Sequence, residues 1–287
     1  MTASYKLIHA ERDHIPVERA CRALEVSRSG YYKWRNGKPS ERAKSDIELK
    51  AKVVQIHREN RGRYGSPRIH RELRDLGERT SRKRVTRLMN EAQISGYVRR
   101  RYRHTTDSNH HHRIAPNLLN RDFSASEANR VWVGDVTYIP TVDGWLYLAV
   151  LLDLYSRRVV GWAMSDTIDT ELVLAALRMA IRQRKPRPGL IHHTDRDCRY
   201  ASDDYQAELA ANGMVASMSR KADCWDNAVA ESFFATLEKE LLSDEPLAPR
   251  RATRTLVTHY IDGYYNLVRR HSYIDYATPI EYELNAA

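Results

Sequence analysis

The sequence has few cysteines and no long apolar segment. Only three of its 287 residues are cysteine, and no two of them form a C-x-x-C pair. This scarcity argues against a disulfide framework and predicts a reducing, cytoplasmic location. No apolar run reaches the roughly 18–20 residues of a membrane-spanning helix, and the N-terminus lacks the apolar core of a signal peptide. We therefore expect a soluble cytoplasmic protein without a membrane partner.

Acidic residues are scarce in the first part of the chain. Residues 1–130 contain 30 Lys and Arg against 15 Asp and Glu, whereas residues 131–287 contain 17 against 22. The net charge of +10 is therefore concentrated in front of a mildly acidic remainder. This distribution predicts a polyanion-binding arm joined to a separate catalytic body, and it favours nucleic acid as the partner.

The first 40 residues are predicted to form a helix-turn-helix domain (1–40). Two short helices are expected between His14 and Trp34, and Ser27 is placed to cap the second one. In this motif the second helix enters the major groove of DNA. Arg28 and Lys33 on its outer side are the predicted contacts. A helical hairpin that serves only for packing is the alternative.

A second helical DNA-binding domain, also like a helix-turn-helix, is predicted for residues 41–100. A charged amphipathic helix comes first, and a second helix is expected to begin with Ser66 as its cap and Pro67 at its first position. Ser81 is placed to open the third helix. The basic residues of that helix predicted to contact DNA are Arg82, Lys83, Arg84 and Arg87.

Residues 101–128 are predicted to be a basic linker, because they show no helical or strand period. The histidines of this stretch, His104 and 110–112, raise the question of a zinc site. No cysteine lies between Cys21 and Cys198, however, and adjacent histidines rarely converge on one tetrahedral metal. We expect a disordered tether that closes on DNA, without zinc.

Two aspartates occupy unusual positions in the second half of the chain. Asp135 lies in the middle of the strand-like segment 131–139, although aspartate is a poor strand former and is costly to bury unpaired. Asp195 closes the short apolar run 189–195. The position of Asp135 therefore suggests that a cation or another partner lies nearby.

A glutamate, Glu231, follows Asp195 after 35 intervening residues. It lies on the segment 224–242, which is predicted to be one helix with Asp226 or Asn227 as its cap. Glu231 falls at the border of the apolar face of this helix. The residues of that face are Ala230, Phe234, Leu237 and Leu241.

Five stretches of this sequence resemble a known protein family. They are VWVGDVTYIPT, GWLYLAVLLDLYSRRVVGWAMS, LIHHTDRDCRYAS, SMSRKADCWDNAVAESFFATLEKEL and YNLVRRHSYIDYATPIEYE. In these five stretches the chain is similar to the catalytic cores of retroviral integrases and bacterial DDE transposases. It resembles most of all the second-frame product of the insertion-sequence-three family, over nearly its whole length.

The resemblance implies an α/β fold with a ribonuclease-H-like integrase core at residues 129–245, preceded by the all-α helix-turn-helix domains. Residues 246–287 are expected to form a C-terminal helical tail. In this fold the first and fourth strands are neighbours, so Asp135 and Asp195 face one another. The resemblance also implies that Asp135, Asp195 and Glu231 are the catalytic metal ligands. Asp153, at another strand end, is expected to form an ion pair with the arginines that follow it.

Three converging carboxylates repel one another unless cations neutralise them. Oxygen ligands without cysteine favour Mg²⁺, with Mn²⁺ as a substitute. Two Mg²⁺ ions would clamp a phosphodiester and allow attack by water or by a 3′-hydroxyl. His193 and Asn227 are expected to support this site, His193 by sharing the strand face of Asp195 and Asn227 by touching DNA. Packing and capping are the alternatives for both.

The predicted function is that of a bacterial insertion-sequence transposase that cuts and rejoins DNA. The resemblance implies that its partners are the element's terminal repeats, target DNA, further copies of the chain, and the upstream-frame product of the same element. A non-catalytic DNA-binding regulator or decayed copy is the main alternative, because the sequence departs from its relatives twice. They read Arg-Gly-Ser-Gln-Tyr where this chain has residues 196–200, RDCRY, and they place a lysine at Glu238. A nuclease of RNA/DNA hybrids is disfavoured by the two helix-turn-helix domains.

Overall fold

The chain folds as two units, 1–96 and 97–287. The computed structural model describes residues 2–37, 41–96, 113–220, 224–242 and 247–286. The histidine stretch, His104 and 110–112, and the first part of the predicted linker, 101–112, lie outside these ranges. Within them, no helix combines the length and the apolar character that crossing a bilayer requires.

The N-terminal unit is helical, as expected. Ser27 and Ser81 cap their helices as predicted, accepting hydrogen bonds from the backbone N–H groups of Gly30 and Arg84. Ser66 was expected to cap as well but lies inside the first turn, with Gly65 at the cap position. The helices of this unit are α1 (Thr2–Ala10), α2 (Val17–Ala23), α3 (Arg28–Asn36), α4 (Glu41–Glu59), α5 (Ser66–Asp75) and α6 (Arg82–Glu91).

The second unit is built on a five-stranded sheet with the order β3-β2-β1-β4-β5. The first three strands are antiparallel, and β4 is parallel to both β1 and β5. The first and fourth strands are therefore neighbours, which confirms that expectation. The strands are β1 (Val131–Thr141), β2 (Gly144–Asp153), β3 (Val159–Ser165), β4 (Ile191–Thr194) and β5 (Val215–Met218).

Both faces of the sheet are covered by helices, because the strands carry apolar side chains in both directions. One face packs against α7 (Thr170–Arg184), α8 (Cys198–Ala201) and α9 (Asp203–Ala211). The helix α7 is capped by Asp169, whose side chain accepts from the backbone N–H of Leu172. The segment after Asp195 is divided into α8 and α9, because Ser202 takes an extended conformation and caps α9.

The other face packs against the helix that carries Glu231. Its predicted apolar residues are buried, but the segment is not one regular helix. A 3-10 turn at Cys224–Asn227 precedes α10 (Ala228–Leu237), and a π-helical turn at Glu238–Leu242 follows it. Neither Asp226 nor Asn227 caps α10 with its side chain, because both side chains bind elsewhere.

The C-terminal segment belongs to the same core and is not a separate tail. Four of its apolar residues are buried in the cluster that α10 forms with β1 and β2. Glu240 in the π-helical turn receives the buried Arg269 guanidinium in a bidentate pair with distances of 2.9 Å. The elements are α11 (Arg250–Thr258), a π-helical stretch at His259–Tyr265, a 3-10 turn at Ser272–Ile274 and α12 (Pro279–Leu284).

The described end of the predicted linker also contacts this core. Leu119 is buried in the cluster around α10, and the backbone N–H of Leu118 donates to Ser217 Oγ on β5 at 2.9 Å. Residues 113–128 therefore do not behave as a free tether. Their apolar side chains and backbone groups are bound to the sheet.

Asp153 does not form the expected ion pair with the arginines that follow it in the sequence. The buried Asp153 carboxylate accepts two backbone N–H groups, and its neighbouring guanidinium is that of Arg184, at 3.8 Å. The Arg157 guanidinium lies over an aromatic ring instead, and Arg158 pairs with Glu283 at 2.8 Å. Burial raises the pKa of Asp153.

Candidate active site

The register of β1 and β4 places Asp135 beside Asp195. The parallel pairs run from Val131 with Ile191 to Val133 with His193, always 60 residues apart. The same offset separates Asp135 from Asp195, which follows directly after the end of β4. Adjacent strands lie about 4.8 Å apart, so the two aspartates are neighbours at the carboxyl end of β4.

Asp135 points to the face of the sheet that carries α10. Side chains alternate along a strand, and Val133 and Ile139 both belong to the α10 side of the core. Trp132, one residue before Val133, belongs to the opposite side. The Asp135 side chain is buried, with 4% exposure, so its carboxylate is largely shielded from solvent.

The helix α10 is attached to β1 immediately beside Asp135. The Asn227 side chain, 3% exposed, donates from Nδ2 to the Gly134 carbonyl oxygen at 3.2 Å. Glu231 follows Asn227 by one helical turn and therefore lies on the same side of α10. Glu231 is partly buried. The three predicted catalytic acids thus lie on elements that meet at one place in the fold.

Gly134 permits a close approach on the other face of β1. A Cβ atom at this position would lie 2.9 Å from His192 Cε1, closer than carbon atoms normally approach. The His192 ring is buried, and its Nε2 lies 2.7 Å from the Tyr205 hydroxyl. Burial lowers the pKa of His192 to about 3, so this ring is neutral at physiological pH.

The side chains of the three acids do not themselves form a closed metal site. Within the described ranges, no three or more His, Cys, Asp or Glu side chains are gathered closely enough to hold a metal ion. The donors still have the right chemistry, because all three are carboxylates and Mg²⁺ prefers oxygen ligands. The chemistry of the three donors therefore fits a divalent ion, whereas the described positions of their side chains do not enclose one.

His193 connects β4 to the segment before α10. Its Nε2 lies 3.0 Å from the carbonyl oxygen of Asp226 and therefore donates, while Nδ1 lies 2.8 Å from Ser217 Oγ and accepts. Burial lowers the pKa of His193 to about 4. Because both ring nitrogens are engaged and the ring is neutral, His193 holds the backbone ahead of α10 in place.

Asp226 is the centre of an ionic cluster that the sequence did not reveal. Its side chain is fully buried and accepts five hydrogen bonds. Three come from Arg220, through its backbone N–H at 2.8 Å and its guanidinium at 2.8 and 2.9 Å. The others come from Arg121 at 3.2 Å and Asn117 at 2.8 Å. The hydrogen bonds from Arg220 hold the pKa of Asp226 far below its usual value.

The altered turn after Asp195 is well formed. Asp197, which stands where the relatives have glycine, has φ −69° and needs no left-handed backbone. Its carboxylate caps α8 by accepting the Arg199 N–H at 3.0 Å, and it also pairs with the Arg199 guanidinium. The turn is therefore formed without a glycine. The additional acid is neutralised by its own neighbour.

Glu238, the second departure from the relatives, lies in the π-helical turn after α10. Its side chain is exposed, whereas that of Lys239 is partly buried. A negative charge therefore faces solvent seven residues after Glu231. Because DNA phosphates are negative, we expect this charge to weaken contact with DNA.

The basic residues predicted to bind DNA fall into two groups. Arg28, Lys33, Arg82 and Lys83 are exposed on α3 and α6, although Arg28 also lies 3.8 Å from the exposed carboxylate of Glu18. The other two are already engaged within the N-terminal unit. Arg84 and Arg87 both bind Asp46, each at 2.7 Å. The first group therefore provides the more accessible surface for phosphate groups.

Family models match three parts of the chain. The model described as "HTH-like domain" covers residues 44–102. Two models described as "Integrase core domain" cover residues 125–224 and 212–279. The second of these extends into the C-terminal segment that completes the core around α10.

Several curated proteins are similar over most of this chain. The insertion element IS600 uncharacterized 31 kDa protein of Shigella sonnei is 42% identical, over 90% of this chain and 95% of its own length. The transposase InsF for insertion sequence IS3A of Escherichia coli is 37% identical, over 97% and 98%. Among solved structures, a chain of a simian T-cell lymphotropic virus intasome has a TM-score of 0.48 at 14% identity, covering 80% of this chain and 74% of that one.

Proposed function

Because this chain belongs to the transposases of IS3-type insertion sequences, we propose that it binds the terminal inverted repeats of its own element and cuts and rejoins DNA there. The chain is a DDE-type polynucleotidyl transferase with an integrase core. We assign its catalytic and metal-binding roles to Asp135, Asp195 and Glu231. The observation that carries this assignment is the β1–β4 register, which sets the two aspartates side by side under the helix of Glu231.

The proposed cofactor is a pair of Mg²⁺ ions, for which Mn²⁺ can substitute. Asp135 and Asp195 would provide the first oxygen ligands, and Glu231 would join them from α10. When bound, the metal pair activates the attacking oxygen and stabilises the leaving oxygen of a phosphodiester. Water as the attacking group gives nicking at the element end, and a freed 3′-hydroxyl gives strand transfer.

The residues around the acids have a supporting role in this proposal. Asn227 ties the start of α10 to β1 through the Gly134 carbonyl. His193 and Asp226 hold the backbone just before α10. Neither tyrosine nor serine is required as a covalent nucleophile. The chain's task is to place three carboxylates and to keep the helix of Glu231 at a fixed distance from the sheet.

The N-terminal unit is proposed to find the element ends. Exposed arginines and lysines on α3 and α6, the second helices of the two helix-turn-helix arrangements, would contact phosphates and base edges. Double-stranded DNA of the terminal repeats and of the target is the proposed partner. We further propose that several copies of the chain assemble on DNA, and that the upstream-frame product of the same element joins them.

The test uses the full 287-residue chain with a labelled duplex carrying the terminal repeat, with and without Mg²⁺. The wild type is expected to nick the repeat end and to join it to target DNA only when the ion is present. Asp135→Asn should lower the rate by at least about 10³-fold, because a metal ligand is lost. Asp169→Asn is the matched control, since asparagine caps a helix as well as aspartate does.

DNA binding, followed by gel shift, separates the possible outcomes. Asp135→Asn is expected to retain the affinity of the wild type for the repeat, because the proposed DNA contacts lie in the N-terminal unit. A wild-type chain that binds the repeat but never cuts it would instead support the non-catalytic regulator. Equal cleavage by Asp135→Asn and wild type would refute the assignment of the site.

A further inference from the structure

A cavity of about 280 Å³ lies at the end of the sheet where β1 and β4 begin. The backbone N–H of Ile191 donates to the Arg130 carbonyl oxygen at 2.9 Å and joins the two walls of the cavity. Asp195 follows the other end of β4, about 16 Å away at the usual rise per residue. The cavity is therefore separate from the candidate active site. It is lined by residues 127–130, residues 185–188 and Leu190.

Both walls of this cavity are fixed to the body of the second unit. Asn129 has a left-handed backbone, with φ +62°. Its N–H donates to the buried Asp153 carboxylate at 2.7 Å, and its side-chain oxygen accepts from Arg184 Nε at 2.8 Å. Lys185 on the other wall is also left-handed, with φ +44°, and ends the helix α7. The cavity is thus preformed, so a ligand bound there need not order its walls.

The rim of the cavity is positively charged. Lys185 and Arg187 alternate with two prolines in the loop KPRPG, and both of their side chains are exposed. Because proline fixes its own φ, a stiff loop carries the two cations. In the described parts of the chain, no acidic side chain pairs with either of them. Arg130, on the opposite wall, pairs with Glu127. The rim therefore has a net positive charge.

This positive rim belongs to a part of the chain that is otherwise mildly acidic. Residues 131–287 contain 17 Lys and Arg against 22 Asp and Glu. Cations in the last turn of a helix stabilise its negative end, which accounts for Arg182 and contributes at Lys185. Arg187 lies beyond the helix and has no such role. Exposed cations on a rigid support suit the phosphate groups of a nucleic acid backbone.

We propose that this cavity and its rim are a second DNA contact, in which Lys185 and Arg187 bind phosphate groups of double-stranded DNA away from the bond that is cut. The inference rests on the proposed function, because that function brings DNA to the chain. The contact is made with the DNA backbone and carries no sequence preference. It adds affinity for flanking or target DNA.

The test measures the salt dependence of DNA binding by the full chain. The probe is a labelled duplex without the terminal repeat, titrated by fluorescence anisotropy over roughly 50–200 mM KCl. Lys185→Gln and Arg187→Gln should each reduce the log–log slope by about 0.9, and the double variant by about 1.8. Arg251→Gln is the matched control, because Arg251 is equally exposed but lies on α11, away from the cavity. It should keep the wild-type slope.

The melting temperature and the self-association of the variants identify a wrong proposal. Wild-type slopes in both Lys185→Gln and Arg187→Gln would refute this contact alone. An equal change in Arg251→Gln would show that the slope reports only net charge, which also overturns the proposal. A lowered melting temperature of Lys185→Gln with an unchanged slope would assign Lys185 to the end of α7.

Two further outcomes concern the partner. Self-association of the wild type without DNA that the double variant loses in sedimentation would assign the cavity to a second copy of the chain and overturn the DNA contact. A wild-type chain that binds neither this duplex nor the terminal repeat would refute the proposed function and this contact with it.

Discussion

Asp226→Asn is the most informative single change in the catalytic unit. The buried carboxylate accepts five hydrogen bonds, from Arg220, Arg121 and Asn117. An asparagine has one carbonyl oxygen and can accept about two of them. About three hydrogen bonds are lost, and each contributes about 1 kcal/mol where the donor is a half-exposed arginine that water can solvate again. The expected cost is about 3 kcal/mol.

This loss is measurable as a change in melting temperature. For a domain of this size, 1 kcal/mol corresponds to about 2–4 °C, so Asp226→Asn should melt about 6–12 °C below the wild type in calorimetry. The matched control is Asp166→Asn, whose carboxylate also pairs with two arginines but is 53% exposed. Exposed pairs contribute at most about 1 kcal/mol. A loss in Asp226→Asn no larger than in this control would refute the reasoning.

The difference in melting temperature between wild type and Asp226→Asn should depend on pH, because the pKa of Asp226 is lowered in the folded chain. The carboxylate is easier to ionise in the folded chain than in the unfolded one, where its pKa is about 3.9. Its ionic contribution is therefore complete above about pH 4 and is lost as the pH falls through the lower, folded pKa. The gap in melting temperature between wild type and Asp226→Asn should be constant near neutral pH and should narrow only under strongly acidic conditions.

Three further changes test separate parts of the molecule. Glu238→Lys should raise strand transfer in vitro, because it replaces a negative charge that faces DNA with a positive one. If the variant shows no gain over wild type, Glu238 does not weaken the contact with DNA. Gly134→Ala should cost about 1–3 kcal/mol, measured by denaturant unfolding, because its Cβ would meet the buried histidine ring below it. Gly263→Ala is the control, because no atom of the described residues lies within 4 Å of its added Cβ. Arg82→Ala should reduce the salt dependence of DNA binding by about 0.9 in log–log slope, whereas Arg84→Ala should also lower the melting temperature of the N-terminal unit through its lost ion pair.

Local patterns in the sequence carry much of the fold. The helix α7 could be predicted to the residue, because its apolar period is continuous and its last turn is basic. The strands β1 and β2 could be found from their β-branched and aromatic residues. The neighbouring placement of β1 and β4 was implied by the family resemblance rather than by either strand alone. Asp135 and Asp195 could be brought together only through that topology.

The parts that could not be predicted depend on contacts between distant residues. Asp226 had the position and residue type of a helix cap, but its partners Arg121 and Asn117 are 105 and 109 residues away in the sequence. No local pattern distinguishes a capping aspartate from one held by a remote guanidinium.

The packing of the C-terminal segment has a consequence for shortened copies of this gene product. Tyr260, Ile261 and Tyr265 form part of the wall on which α10 rests, and the Arg269–Glu240 pair fastens the two together. A premature stop codon before residue 260 would therefore remove these three side chains from the core around α10. Such a fragment would keep the N-terminal unit, 1–96, attached to a second unit whose hydrophobic core is incomplete.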